Sequence, residues 1–103
     1  MTDLGELMRQ AQEMRGRFQR LQEELGGIIV EGSAGGGMVV AAANGRQELV
    51  SVRIEKEVVS PDDVGMLQDL VLAAVNDALA RSRETAAAEM AKITGGILPP
   101  GIL

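Results

Sequence analysis

Seven of the ten cationic side chains in this 103-residue sequence fall in two stretches. Arg9, Arg15, Arg17 and Arg20 share residues 9–20 with a single carboxylate, Glu13, a local balance of +3. Arg81, Arg83 and Lys92 outnumber Glu84 and Glu89 in a second stretch. Residues 62–77 are the reverse, with Asp62, Asp63, Asp69 and Asp77 and no base. Clustered guanidinium and ammonium groups are what phosphate contacts need, although the net charge of −5 argues against polyanion binding if charge is averaged over the chain. The segregation of acid from base makes that average a poor guide. Two readings of the first stretch stand side by side. In one it is a solvated face, with Glu13 pairing Arg9 or Arg17 for a few tenths of a kcal/mol. In the other it grips phosphate, and a second basic stretch on a second helix weighs toward that.

Other groups that could do chemistry are poorly provided. The chain has no Cys and no His, which removes thiol nucleophiles, disulfides, imidazole bases and the usual zinc sites together. Asp62 and Asp63 follow Ser60-Pro61 and read as cap and dipole residues, not paired catalytic carboxylates. Gly35-Gly36-Gly37 is followed by Met38 and a strand, whereas a phosphate-binding loop needs a Lys-Ser/Thr pair and a helix. The six methionines are scattered and read as core filling. No catalytic, metal or cofactor-binding residues are assigned, and the expectation is a non-enzymatic binding module with no small-molecule substrate.

The elements that would carry the cations can be read from periodicity. Leu4, Leu7, Ala11, Met14, Phe18, Leu21 and Leu25 alternate steps of three and four, a heptad-type seam. They predict a long helix capped by Thr2 or Asp3 and stopped at Gly26-Gly27 by a left-handed glycine. On a wheel of about 100° per residue, Arg9 and Arg20 lie opposite this seam, Arg17 on its flank and Arg15 near its edge. Residues 28–33, 38–43 and about 47–55 predict three antiparallel strands. The first reversal is at the glycines, and the second is a primed turn on Asn44-Gly45 with positive φ at both positions. In the third strand Val50, Val52 and Ile54 are expected on one half-buried face, opposite Leu49, Ser51, Arg53 and Glu55. Ser60-Pro61-Asp62-Asp63 predicts a second helix, capped by Ser60 and running from Pro61 to about Thr94, where Gly95-Gly96 ends it.

The expected fold class is therefore α+β, in the order α-β-β-β-α, with residues 1–96 as a single domain and 97–103 as a loose tail. Helices of about 35 and 50 Å outreach strands of about 20 Å, so their apolar stripes run on past anything one copy can cover. A second copy is the simplest cover, and a homodimer is expected. No run approaches the roughly eighteen apolar residues of a membrane span, and the N-terminus lacks a basic region followed by an apolar one, so a cytoplasmic protein with no membrane partner is expected.

With these segments placed, the chain resembles the YbaB/EbfC family of bacterial nucleoid-associated proteins over about residues 4–101. The resemblance rests on Leu7-Met8-Arg9-Gln10-Ala11-Gln12-Glu13-Met14, on Glu31-Gly32-Ser33-Ala34-Gly35-Gly36-Gly37-Met38-Val39 with Asn44-Gly45 after it, and on Leu70-Val71-Leu72-Ala73-Ala74-Val75-Asn76-Asp77-Ala78-Leu79. Ile93-Thr94-Gly95-Gly96-Ile97, with Pro100-Gly101 beyond it, completes it. One departure is the wholly apolar Val39-Val40-Ala41-Ala42-Ala43, where relatives commonly place a base in the strand after the glycines. The resemblance implies a tweezer-like homodimer joined at its sheets, with long helices projecting. It further implies binding of double-stranded DNA with little sequence preference, and a nucleoid location. The region it implicates is the projecting helices, whose basic residues are Arg9, Arg15, Arg17, Arg20, Arg81, Arg83 and Lys92. The competing expectation is a structural or protein-interaction dimer with no direct role on DNA, favoured by the net acidity and the apolar helix faces.

Overall fold

The fold is taken from a computed structural model, which describes residues 3–95. Helix α1 spans Leu4–Gly26, strands β1, β2 and β3 span Ile29–Ala34, Val39–Asn44 and Leu49–Ile54, and helix α2 spans Val64–Thr94. A single 3-10 turn, Lys56–Val58, links β3 toward α2 where the sequence pattern signals no element. The sheet is an antiparallel meander in the order β1-β2-β3. The α-β-β-β-α class is thus as the sequence predicts. Thr2, Gly96 and the tail of residues 97–103 lie outside the described residues.

The core is built from small side chains because α2 lies almost in contact with the sheet backbone. Val39, Ala41, Ala43, Val58, Ala74 and Ala78 form its buried centre. Gly32 of β1 is where helix and strand meet: a Cβ there would collide with the backbone N of Ala78 and stand 2.7 Å from the carbonyl O of Ala74. Glycine is required at this position by close approach and not by its φ. Ser82, also fully buried, fastens the next turn of α2. Its hydroxyl donates to the Asn44 carbonyl at 2.6 Å and accepts from the Gln47 N–H at 3.1 Å. Every buried side-chain polar atom among the described residues has a partner, as a tightly packed interior demands.

Four local expectations are corrected. α2 starts at Val64, not Pro61, with Asp63 as its N-cap accepting from the Met66 N–H at 3.1 Å. Ser60 instead closes the preceding turn by accepting from the Asp62 N–H, so Pro61 lies in that turn and outside the helix. At the end of α1, Gly27 is right-handed (φ −94°), and the left-handed cap appears only at Gly95 (φ 64°). The β2–β3 reversal is not a primed Asn44-Gly45 turn. Asn44 C=O accepts from the Gln47 N–H at 3.1 Å, its N–H donates to Glu48 C=O at 2.9 Å, and Gln47 takes the positive φ of 63°. That is a three-residue loop closed by a left-handed residue. Gly45 is needed because a Cβ would stand 2.8 Å from Leu25 Cδ2, where the loop rests on the end of α1.

The fourth correction concerns β3. Its six residues are all exposed, so no face of it is half-buried within one chain. A bulge between the Ala42–Ser51 and Ala43–Leu49 pairs inserts Val50 as an extra residue. Directly paired residues share a sheet face, so Leu49 joins Val52 and Ile54 on the α2 side instead of opposing them. α2 crosses β1 and β2 and barely reaches β3.

Candidate nucleic-acid interface

In a molecule that measures 73 by 22 by 16 Å, the two helices meet only where the last turns of α1 lie against the C-terminal turns of α2. Leu21 and Leu25 are the buried residues of α1, while Leu4, Leu7, Met8 and Met14 remain exposed. The seam read from sequence therefore changes role along its length. Its last two turns anchor α1, and the preceding turns stand clear as an arm. Asp3 caps that arm by accepting from the Gly5 N–H at 3.1 Å.

The cations of the arm collect in two adjoining hollows. One, about 220 Å³, lies between the helices and is lined by Arg17, Arg20, Leu21, Glu24, Glu89, Lys92 and Ile93. The other, about 410 Å³, runs on along α1 past Arg9, Gln12, Glu13, Gly16, Arg17 and Arg20. Arg17 and Arg20 line both, so Arg9, Arg17, Arg20 and Lys92 share one surface, four cations against the carboxylates of Glu13, Glu24 and Glu89. Arg9 is held by Glu13 at 2.9 Å and Glu6 at 3.4 Å, and Lys92 by Glu89 at 2.9 Å. Arg17 and Arg20 have no ion-pair partner among the described residues. These exposed pairs are worth little, and a phosphate can replace a carboxylate at small cost.

The remaining sequence-predicted cations lie elsewhere. Arg15 is two residues from Arg17, about 200° around the helix, and faces away from the hollow that Arg17 lines. Arg83 lines a separate groove with Gln22, Leu25, Gln47, Ala86, Ala87 and Met90. Arg81 pairs with Asp77 at 3.3 Å beside β1, on the body of the molecule. Asp77 is structural: its carboxylate accepts from the Ser33 N–H at 3.1 Å, and that bond, ahead of Arg81, holds its pKa below the ordinary carboxylate value. A single protomer thus gathers four of the seven cations. Three further bases, Arg46, Arg53 and Lys56, carry no signal in the sequence because none lies in a basic run. Arg46 lies over Gly26, with Nη2 2.6 Å from where a Cβ would be, and pairs with Glu48 at 3.4 Å. Among the described residues no group of acidic, His or Cys side chains could hold a metal ion, and no helix is long and apolar enough to cross a membrane.

A small meander clasped by a long helix, with a second helix bearing arginines out into solvent, is a scaffold that presents cations to a large anionic partner. The YbaB/EbfC DNA-binding family matches residues 1–97, and the chain belongs to that family. A nucleoid-associated protein of Moorella thermoacetica is 56% identical over 101 residues, spanning 98% of this chain and 97% of that one. One from Caldanaerobacter subterraneus is 55% identical over 100 residues, 97% of this chain and 90% of the relative. The crystal structure of an uncharacterized protein from Helicobacter pylori, HP0035, superposes with a TM-score of 0.80 at 26% identity, covering 91% of this chain and 99% of the other. Family and relatives point alike to a nucleoid-associated, DNA-binding protein that is not an enzyme.

Proposed function

We propose that the protein binds double-stranded DNA as a homodimer, with little sequence preference, through the basic surface of Arg9, Arg17, Arg20 and Lys92. The observation that carries this reading is the joining of Arg17 and Arg20, without carboxylate partners among the described residues, to two further cations across two helices. Such a surface presents charge to the sugar-phosphate backbone. It carries no asparagine and one glutamine, Gln12, so it has little means of reading adenine edges. Arg15, Arg81 and Arg83 belong to the wider candidate set and would contact DNA only where a second protomer aligns them with the first.

The dimer is supported by an apolar groove of about 460 Å³ between β3 and α2, lined by Ile54, Leu67, Gln68, Val71, Leu72 and Val75. Leu72 of α2 is 61% exposed, and Val50 is 52% exposed on β3, an unpaired strand edge that one chain leaves open. A second copy packing there would cover both the edge and the groove.

The test is a titration of a mixed-sequence duplex across a range of salt. With about 4–6 phosphate contacts per dimer, the logarithm of the affinity falls against that of salt with a slope of about −4 to −5. An unrelated duplex of the same length should bind within a few-fold. Absence of binding at low salt would overturn the reading and favour a protein-interaction dimer instead. Light scattering at micromolar concentration tests the dimer separately, and Leu72→Asp, in the groove and outside the core, should yield folded single chains.

A further inference from the structure

We propose that the exposed seam of α1 is a second self-association surface, on which the same seam of another copy docks antiparallel and joins one dimer to the next. The inference rests on the reading of the protein as a dimer closed through β3 and α2. The two surfaces are separate: the groove beside β3 is lined by β3 and α2 alone, and the seam belongs to the free turns of α1.

The seam keeps heptad spacing from Leu4 to Leu25, but α2 buries only Leu21 and Leu25. Leu4 is 70% exposed, Leu7 48% and Met8 57%. A helix with a bare apolar heptad stripe is a docking surface for another such stripe. Charge selects both the occupant and its direction. The first turn carries Asp3 and Glu6, whereas Arg15, Arg17 and Arg20 lie further along. Parallel pairing sets the arginines of two copies side by side. Antiparallel pairing sets the acidic turn of each copy against the arginines of the other, and the helix dipoles also oppose. With Leu4 and Ala11 in the first apolar heptad position and Leu7 and Met14 in the second, one antiparallel register stacks Leu4 on Met14 and Leu7 on Ala11. It brings Met8 against its own counterpart and Asp3 beside Arg17. Arg9 and Arg20 stay on the outer face, free for phosphate.

A chain with two different self-complementary surfaces does not close on itself in the general case. It extends, dimer after dimer. The overlap spans only about three turns, so the contact is weak alone and gains strength when a duplex holds neighbouring dimers close.

The absence of cysteine allows a direct test on the whole protein. Single thiols are introduced by Met8→Cys and, on the outer face, Gln12→Cys. Mild oxidation should link the Met8→Cys protein at least tenfold faster than the Gln12→Cys protein, and light scattering should then show species of four chains and more. Adding Leu7→Glu to Met8→Cys should abolish the link while helical circular dichroism is unchanged. Mixing Leu4→Cys with Met14→Cys proteins should give mostly the mixed disulfide, as antiparallel stacking requires. Equal rates for Met8→Cys and Gln12→Cys, or links confined to two-chain particles, would overturn the proposal. The mass before oxidation tests the dimer on its own, so the two failures are read separately.

Discussion

α1 and α2 carry apolar residues at the same helical spacing, yet they end in opposite surroundings. In the middle of α2, Ala74 and Ala78 are fully buried because β1 offers a glycine opposite them, and Ser82 is buried against the β2–β3 loop. In the first half of α1, larger side chains such as Leu4 and Leu7 stay in water because no described element lies against them. Small residues thus build the rigid waist, and large ones mark the arm. Apolar periodicity fixes which face of a helix is available, not whether something covers it.

The largest effect that could break this contrast is at the waist. Gly32→Val should force α2 off β1 and destabilise the protein by about 3 kcal/mol or more, read as a lower urea midpoint. Ser82→Ala removes the hydroxyl that bridges the Gln47 N–H and the Asn44 carbonyl, which keep their bond to each other at 3.1 Å, and should cost about 0.5–1.5 kcal/mol in the same assay. On the arm, Arg17→Ala with Arg20→Ala should change stability by less than about 0.5 kcal/mol. The same pair should weaken DNA binding and make the salt slope shallower by about one for each phosphate no longer neutralised. If that pair unfolds the protein, α1 is no free arm and the contrast fails. Asp77→Asn sharpens it through pH. The folded pKa of Asp77 is lowered, so its stabilising effect is full above the ordinary carboxylate pKa of 3.8 and is lost as pH falls through the folded value. The variant should therefore lose stability at neutral pH and differ least from the parent in acid. The smallest effect is Glu13→Ala, which leaves Arg9 paired with Glu6 alone and should shift stability by only a few tenths of a kcal/mol while tightening DNA binding slightly.

Much of the architecture is legible in the sequence because it follows from local rules. The seam of α1, the reversal at the glycines and the stop at Gly95 each depend on residues close in sequence. The differences arise where a distant element decides the outcome. Asn44-Gly45 suits a primed turn, but Leu25 presses on Gly45, and Ser82 reaches across from α2 to hold Asn44 and Gln47. Alternation in β3 looks unbroken, but the bulge at Val50 shifts Leu49 to the other face. For the interface, the sequence marks the basic stretches, and the fold sorts them. Arg9, Arg17, Arg20 and Lys92 meet because α1 crosses α2 near its end, whereas Arg81 is drawn to Asp77 and the body.

The sequence by itself determined two amphipathic helices, three strands and the separation of acid from base. These follow from periodicity, turn residues and composition, which act over a few positions at a time. Only the tertiary structure decided that α1 is an arm for most of its length, that β3 is an open edge, and which cations share a surface. Those outcomes depend on how closely α2 can approach the sheet, and that distance is set at Gly32 by a contact between residues more than forty positions apart.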